Sequence, residues 1–393
     1  MNNASSAGNI SHRLEPVKKQ SKFRKYLSTG PFDWTFFVIT IILLAIGVVM
    51  MFSASYAYAY YKYDNSLFYV TQQIKWVLIG IALMIAVSFI SSDFFRMMWI
   101  PVLAISYASL AVVLLMPAVK DVHRWIYIGS FNFQPSEIAK FALILSFAHL
   151  MAYYKNKMGT FRYGVLPYVL ILATTVVLII LEPHLSATII ICLIAAIMMF
   201  VGGTKWRWFA LAGGIAVAGL VWLVFFSGKL DYAQDRIAVW LDPFLDQQGD
   251  GWQTIQSLYA IASGGLMGAG IGNSRQKFMY VSEPQNDFVF SIVCEELGFV
   301  GAAIIIILFA LLIWRGFVIA MRAKDRFSSL LALGIIVQFG MQVLLNIAVV
   351  TNTIPNTGIS LPFFSYGGSS MLMMLAQMGI ILSISKKSYT QKQ

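Results

Sequence analysis

The sequence predicts an all-α polytopic membrane protein, with about ten transmembrane helices and a large extracellular loop between helices 7 and 8. Composition is the first observation: of 393 residues, 59% are hydrophobic and only 11% are charged, whereas about a quarter of an average soluble domain is charged. A mean hydropathy of +0.75 agrees. The apolar residues also form long runs, and a helix needs about 20 of them to cross a bilayer.

Ten apolar stretches are long enough to form these helices. They lie at residues 33–54, 73–91, 97–118, 134–154, 164–181, 185–203, 207–227, 287–320, 328–350 and 366–385. The predicted membrane domain therefore covers residues 31–385. Spans five and six are separated by barely one turn, which predicts a tight hairpin. The large loop between spans seven and eight covers about residues 228–286.

The positions of lysine and arginine predict the orientation of the chain. Most of the 28 basic residues fall on the inside if both termini are cytoplasmic, as the positive-inside rule requires. The large loop then faces outward. Residues 1–30 are predicted to be a basic cytoplasmic N-terminal tail and residues 386–393 a cytoplasmic C-terminal tail. The net charge of +11 does not indicate a nucleic-acid partner, because the basic residues flank the spans.

Charged and amide side chains inside the spans are candidate functional residues, because burying them in lipid is costly. Glu137 and Lys140 lie three residues apart in span four and share one helical face. They form either an ion pair that only cancels two charges or a functional pair in a cavity. Helix-packing contacts are the simpler interpretation for the polar residues of spans eight and nine. These are Glu295, Glu296, Gln338, Gln342 and Asn346.

Asp287 is the candidate catalytic residue. It closes the large polar loop directly before the apolar stretch of span eight. A carboxylate at that position could take a proton from a substrate whose tail lies in the lipid. The alternative is that Asp287 is only the N-cap of the eighth helix. The sequence leaves both roles open.

The large loop offers positive charge and clustered glycines. Arg236, Arg275 and Lys277 are suited to an anionic leaving group such as pyrophosphate. The glycines let the backbone approach a ligand or a neighbouring helix closely, or they only punctuate the loop. They are Gly264, Gly265, Gly268, Gly270 and Gly272. No metal-ligand motif is present in the sequence, but Mg²⁺ carried by a pyrophosphate substrate would need few protein carboxylates.

Four groups of motifs occur in order along the chain. They are His123-Arg124-Trp125-Ile126 with Phe133 to Glu137 and Lys140; Gly251-Trp252-Gln253 with Ser263-Gly264-Gly265; Asp287-Phe288 with Glu295 to Gly298; and Leu361-Pro362-Phe363 with Ser365 to Ser370. Together with ten spans, they resemble the SEDS family (shape, elongation, division and sporulation). The loop motifs look more like the division branch of that family than the elongation branch, and the sporulation relative is hard to separate from the division branch.

The resemblance implies a peptidoglycan glycosyltransferase that polymerises lipid II into glycan strands. It would act on the outer face of the bacterial cytoplasmic membrane, at the division septum. Implied partners are undecaprenyl-linked glycan, a class B penicillin-binding protein (a transpeptidase) and other divisome proteins. No built-in cofactor is expected, although Mg²⁺ or Mn²⁺ could accompany the pyrophosphate.

The family's essential loop aspartate corresponds to Asp287, which would act as general base. Substrate-binding roles are expected for further residues. They are Arg124, Glu137, Lys140, Arg236, Lys277 and Ser369. Among these, Arg124, Arg236 and Lys277 would balance the charge of the departing pyrophosphate.

This chain departs from the family pattern in two places. After span five the family commonly has Glu-Pro-Asp, whereas this chain has Glu182-Pro183-His184, so any role of that aspartate is absent or moved to Glu182. Directly before Asp287 the usual His-Thr is replaced by Gln285-Asn286. Two other functions remain open: a transporter that flips lipid II across the bilayer, and a non-catalytic scaffold that activates its transpeptidase partner.

Overall fold

The structure, a computed structural model, describes residue 28 and residues 30–116, 124–128, 131–214, 238–247, 249, 251–281 and 283–389. In chain order, the helices that we label are α1 (Trp34–Tyr63), α2 (Phe68–Ser88), α3 (Ser92–Met97), α4 (Trp99–Val113), α5 (Pro135–Tyr153), α6 (Phe161–Gly164), α7 (Leu166–Leu181), α8 (Leu185–Gly202), α9 (Trp252–Gly264), α10 (Val289–Met321), α11 (Arg326–Val350) and α12 (Gly368–Tyr389). A β-hairpin pairs β1 (Ile126–Ile128) with antiparallel β2 (Phe131–Phe133). Short 3₁₀ turns lie at Lys155–Lys157 and Pro243–Asp246.

The predicted all-α membrane fold is confirmed. Within the described residues, eight helices are long and apolar enough to cross a membrane. They are α1, α2, α5, the continuous pair α6–α7, α8, α10, α11 and α12, with α6–α7 counted as one span. The predicted third span corresponds to α4, a shorter apolar helix of 15 residues. Of the predicted seventh span, residues 207–214 are helical and residues 215–227 lie outside the described part of the chain.

The helices divide into an inner and an outer set. Most residues of α5, α11 and α12 are buried, and their large apolar side chains fill the core, as Phe147 and Phe339 do. In contrast, α2, α7 and α10 bury about a quarter of their most apolar segment and present leucine and isoleucine side chains outward. Outward apolar faces of this kind suit contact with lipid chains rather than water.

Helix α10 is interrupted at Gly298, whose backbone angles are φ 66° and ψ −171°. The glycine-rich segment after α9 packs against this interruption. The N–H groups of Ala269 and Gly270 donate to the carbonyls of Glu295 and Glu296 at 2.9 and 3.0 Å. Non-helical backbone is tolerated at such a place because its polar groups find partners within the protein. Of the clustered glycines, Gly264 and Gly268 therefore serve close approach to a neighbouring helix, because a Cβ at either position would lie 2.0–2.2 Å from a backbone carbonyl oxygen of α10.

We expect Gly268→Ala to destabilise the fold more than Gly272→Ala. Both glycines have positive φ, at 80° and 87°, so each substitution costs about 1–3 kcal/mol in backbone strain. A Cβ at position 268 would also lie 2.2 Å from the Glu296 carbonyl oxygen, whereas nothing lies within 4 Å of one at position 272. Thermal unfolding in detergent should show the larger loss for Gly268→Ala; equal losses would contradict the packing described for this segment.

Candidate active site

A cavity of about 810 Å³ lies at the predicted outer end of the helix bundle. Its wall combines α2, the β-hairpin, the start of α5, the α7–α8 turn, the segment before α10 and the loop between α11 and α12. Seven acidic, basic or histidine residues contribute to this wall. They are Lys62, Arg124, Glu137, Lys140, His184, Glu283 and Asp287.

The cavity brings together four of the residues predicted from the sequence. Asp287 and Arg124 come from connecting segments, and Glu137 and Lys140 come from the first turns of α5. Ser369 is buried near the start of α12 and does not line the cavity, although its neighbours Gly368 and Ser370 do. Arg236 lies outside the described residues.

Asp287 is not the N-cap of helix α10. The helix begins at Val289, its N-cap residue is Phe288, and no side chain in the described part of the chain caps its first turn. The Asp287 carboxyl group instead lines the cavity and is partly buried. The N-cap alternative therefore does not account for this residue.

The surroundings of Asp287 make it a stronger base than an ordinary aspartate. Burial, together with a smaller contribution from the nearby Glu283 carboxylate, raises its pKa to about 6, and the Arg124 guanidinium opposes both effects. A carboxyl group with this pKa is still largely ionised at neutral pH. A pKa of this size is also closer to neutral pH than that of an ordinary aspartate, and a general base is most effective when its pKa is near the working pH.

Glu137 and Lys140 form an ion pair in the wall of the cavity. The Lys140 Nζ atom lies 2.7 Å from Glu137 Oε1, and both side chains are almost fully buried. Both residues also line the cavity. The two interpretations left open by the sequence are thus compatible, because the pair cancels two buried charges and faces the ligand space.

The α7–α8 turn places a second acid beside Arg124. The Arg124 guanidinium donates to the Pro183 carbonyl. Glu182 is fully buried, and its carboxyl oxygens have no hydrogen-bond partner among the described residues. Burial raises the Glu182 pKa to about 8, against an opposing effect of Arg124. Glu182 is therefore mainly protonated at neutral pH.

His184 occupies the position where the family commonly has aspartate, and it lines the cavity. Burial lowers its pKa to about 3, with smaller contributions from Arg124 and Lys140. Its Nε2 atom lies 3.5 Å from Gln134 Nε2. The imidazole is consequently neutral at physiological pH, so this chain has a neutral hydrogen-bonding group where an aspartate would add negative charge.

Lys277 lies in a buried cluster away from the cavity. Its Nζ atom is 3.1 Å from Glu296 Oε1 and donates to the Gly272 carbonyl at 2.6 Å. Ser53 on α1 donates to the same Glu296 carboxylate at 2.7 Å. The predicted contact of Lys277 with pyrophosphate has no support in this arrangement, because its charge is already matched by Glu296. Its position instead holds the loop against α1 and α10.

Aromatic residues of the cavity wall were not anticipated from the sequence. Tyr63 stacks on Phe68 at 3.9 Å between ring centroids, and Tyr69 meets Tyr366 edge to face at 4.9 Å. All four line the cavity. Flat rings with polar tips suit an amphipathic ligand such as a saccharide. Clustering of aromatic residues near the ends of spans was the available signal, but it is also typical of membrane interfaces.

Within the described ranges, no group of three or more His, Cys, Asp or Glu residues is arranged to hold a metal ion. Glu283 and Asp287 are close enough to interact electrostatically. Two carboxylates together with substrate phosphates are a common environment for Mg²⁺. The residues present thus fit a cation brought in by a phosphate ligand.

Comparison with known proteins shows the family of the chain. The FtsW/RodA/SpoVE model, described as a cell cycle protein, matches residues 33–390. Stage V sporulation protein E of Bacillus subtilis strain 168 is 40% identical over 364 residues, covering 92% of this chain and 98% of that protein. A Trichlorobacter lovleyi protein named probable peptidoglycan glycosyltransferase FtsW is 36% identical over 365 residues, covering 92% and 95%.

Solved structures agree with the sequence comparison. A chain from a peptidoglycan synthase complex, solved for its coordination of polymerization and crosslinking, superposes with a TM-score of 0.75 and 29% identity, covering 91% of this chain and 98% of that one. The rod shape determining protein RodA of Thermus thermophilus gives a TM-score of 0.67 and 26% identity with the same coverage. The resemblance noted in the sequence is confirmed: this chain belongs to the FtsW/RodA/SpoVE, or SEDS, family.

Proposed function

We propose that this chain is a peptidoglycan glycosyltransferase that polymerises lipid II into glycan strands, with Asp287 as general base. One observation carries the proposal: Asp287 lines a cavity of about 810 Å³ at the end of a membrane helix bundle and is not the N-cap of α10. The names of its relatives support the activity. In this proposal, the prenyl chain of the ligand stays in lipid while its sugars reach the acid.

The reaction is a displacement at an anomeric carbon. The acceptor hydroxyl gives its proton to Asp287, and its oxygen forms a bond to the anomeric carbon of the donor. The bond from that carbon to the diphosphate oxygen breaks, and undecaprenyl pyrophosphate leaves with the electron pair. General-base assistance of this kind contributes about 10²–10⁴-fold to a rate. The raised pKa of Asp287 helps it to accept the proton.

Arg124 is the residue best placed to balance charge on the departing diphosphate. It lines the cavity and interacts electrostatically with Asp287. Arginine offers a fork of donors that matches phosphate oxygens. A divalent cation bound with the diphosphate would be held mainly by the phosphate oxygens and Glu283, which leaves Asp287 to accept the proton, and it would supply further positive charge.

The proposal extends to location and partners. The chain is a multi-pass membrane protein, and we propose that it lies in the bacterial cytoplasmic membrane with both termini in the cytoplasm, acting at the division septum. Its similarity to a chain of a peptidoglycan synthase complex supports assembly with a penicillin-binding protein. We assign the class B type and further divisome proteins as partners on the family resemblance.

Reconstitution with fluorescent lipid II separates the three candidate functions. The purified chain is placed in liposomes, with and without a class B penicillin-binding protein, and products are resolved by gel electrophoresis while leaflet transfer is followed by quenching. Polymer supports the glycosyltransferase. Leaflet transfer without polymer would favour the transporter. Stimulated cross-linking of added glycan strands by the partner, with neither polymer nor leaflet transfer, would favour the scaffold.

Activity should fall as the pH is lowered through about 6, because Asp287 must be ionised to accept a proton. An aspartate with an ordinary pKa would retain activity to a lower pH. Since Glu283 contributes to the raised pKa, Glu283→Gln should move the acidic limb of the kcat/KM profile to lower pH. Profiles measured at lipid II concentrations well below KM test this. An unchanged limb in the variant would contradict the electrostatic contact between the two acids.

A further inference from the structure

The backbone segment that carries Asp287 is held at three consecutive carbonyls. The Gln285 carbonyl accepts from the Tyr366 N–H at 2.8 Å. The Asn286 carbonyl accepts from Ser365 Oγ at 2.6 Å. The Asp287 carbonyl accepts from Asn346 Nδ2 at 2.7 Å. All three donors lie on α11 or on the loop that follows it, so a distant part of the chain fixes this segment.

Asn346 and Ser365 each bind a second main-chain group. The Asn346 Nδ2 atom also donates to the Ile359 carbonyl at 2.6 Å, and Asn346 is completely buried. Ser365 Oγ also accepts from the Leu361 N–H at 2.7 Å. Ile359 is itself part of the cavity wall. Two side chains thus join the segment of the candidate base to the loop that forms another wall of the cavity.

The segment has little regular structure of its own to hold the carboxylate in place. Residues 283–288 precede the first turn of α10, which lacks a side-chain cap. Glu283, at the start of the segment, has a φ of 47°, a conformation that non-glycine residues rarely adopt. In contrast, Asn346 lies on α11, a regular helix of 25 residues in the packed core. A rigid helix is a better support for a reacting group than a loop is.

We propose that Asn346 and Ser365 are positioning residues for Asp287, which keep its carboxylate against the cavity and at a fixed distance from the Ile359 wall. This inference rests on the proposed glycosyl transfer. Neither side chain acts on substrate directly; each acts through the backbone of the base. A misplacement of about 1 Å can cost 10²-fold in rate, so the expected effect is on kcat rather than on substrate binding.

The test compares Asn346→Leu and Ser365→Ala with two controls. Leucine is close in size to asparagine but donates no hydrogen bond, and Ser365→Thr keeps the hydroxyl group. Gln338→Leu removes another buried amide of α11, two turns away and not part of the cavity wall. All variants are assayed in liposomes for kcat and KM with lipid II, and their thermal unfolding is measured in parallel.

We expect Asn346→Leu and Ser365→Ala to lower kcat by about 10- to 100-fold with KM within about threefold of wild type. Ser365→Thr and Gln338→Leu should stay near wild-type kcat. The decisive measurement repeats both substitutions in an Asp287→Asn background, where a residue that acts only through the base should cause no further loss. An equal loss in that background, or an equal loss from Gln338→Leu, would overturn the proposal.

The proposed function and this inference fail in different ways. If wild-type protein makes no polymer, the glycosyltransferase is excluded. If wild-type protein makes polymer and Ser365→Ala, with unfolding unchanged, retains full kcat, only the positioning role is lost. Should Asn346→Leu not fold, Ser365→Ala against Ser365→Thr still decides the question, because the two variants differ in the hydroxyl group that Asn286 contacts.

Discussion

Asp287→Asn is expected to lower the rate of lipid II polymerisation by about 10²–10⁴-fold while lipid II binding stays near wild type. The amide is almost the same size as the carboxylate, but it cannot accept a proton at neutral pH. The backbone of residue 287 would still be held by Asn346. This substitution therefore removes the proton acceptor while leaving the structure of the cavity in place.

The measurement is single-turnover polymerisation in liposomes, together with retention of labelled lipid II. Asp242→Asn is a matched control, because it makes the same chemical change in the outer loop, where Asp242 accepts from the Phe244 N–H and does not line the cavity. Asparagine caps a helical turn about as well as aspartate does. Equal polymerisation rates for Asp287→Asn and wild type would remove Asp287 as the base.

Hydropathy located the helices better than it located their ends. The first span was predicted to end at residue 54, but α1 continues to Tyr63. Its 30 residues correspond to about 45 Å, which exceeds the roughly 30 Å of a hydrocarbon core. The tyrosine-rich end is helical without being strongly apolar, and Asp64, in the left-handed region with φ 51°, ends it. Apolarity reports the crossing of the bilayer, not the extent of the helix.

The predicted third span shows the same limit. The stretch at residues 97–118 is mostly apolar, and only Pro101, in the first turn of α4, marks the break at Met98 between α3 and α4. Helix α4 also ends at Val113, before the predicted end of the span at residue 118. A break of this kind depends on how the chain turns at the membrane surface, and apolar periodicity does not report it.

The site was predictable only in part, because the partner of a buried polar residue is often distant in the chain and the sequence does not identify it. Glu137 and Lys140 lie one turn apart, so their ion pair follows from helical spacing alone. Asn346 was expected to contact another helix, but its amide binds the carbonyls of Asp287 and Ile359. The sequence predicts that Lys277, in the large outer loop, contacts pyrophosphate, but the structure pairs its ammonium group with the Glu296 carboxylate. Hydropathy shows that buried charged and amide side chains need polar partners, but it does not identify which residues those partners are.

Lys277→Met should lower the free energy of unfolding by about 3–5 kcal/mol, because it leaves Glu296 buried beside a second acid with no cation. Side chains of Lys277 and Glu296 are only 3% and 0% exposed. Glu295 lies next in the chain and is held by the Arg275 N–H at 2.8 Å. Removing the lysine therefore leaves two adjacent acids without the positive charge that neutralises one of them.

The double variant Lys277→Met with Glu296→Gln should recover much of this loss, because no uncompensated charge remains. Arg275→Met is the control: its side chain is exposed, and its backbone N–H still reaches Glu295. Thermal unfolding in detergent gives the stabilities, and lipid II titration of the folded fraction gives KM. A role in holding the loop predicts an unstable Lys277→Met protein with near-normal KM. A stable protein with a strongly raised KM would indicate that Lys277 binds lipid II, and it would contradict the assignment of Lys277 to the Glu296 ion pair.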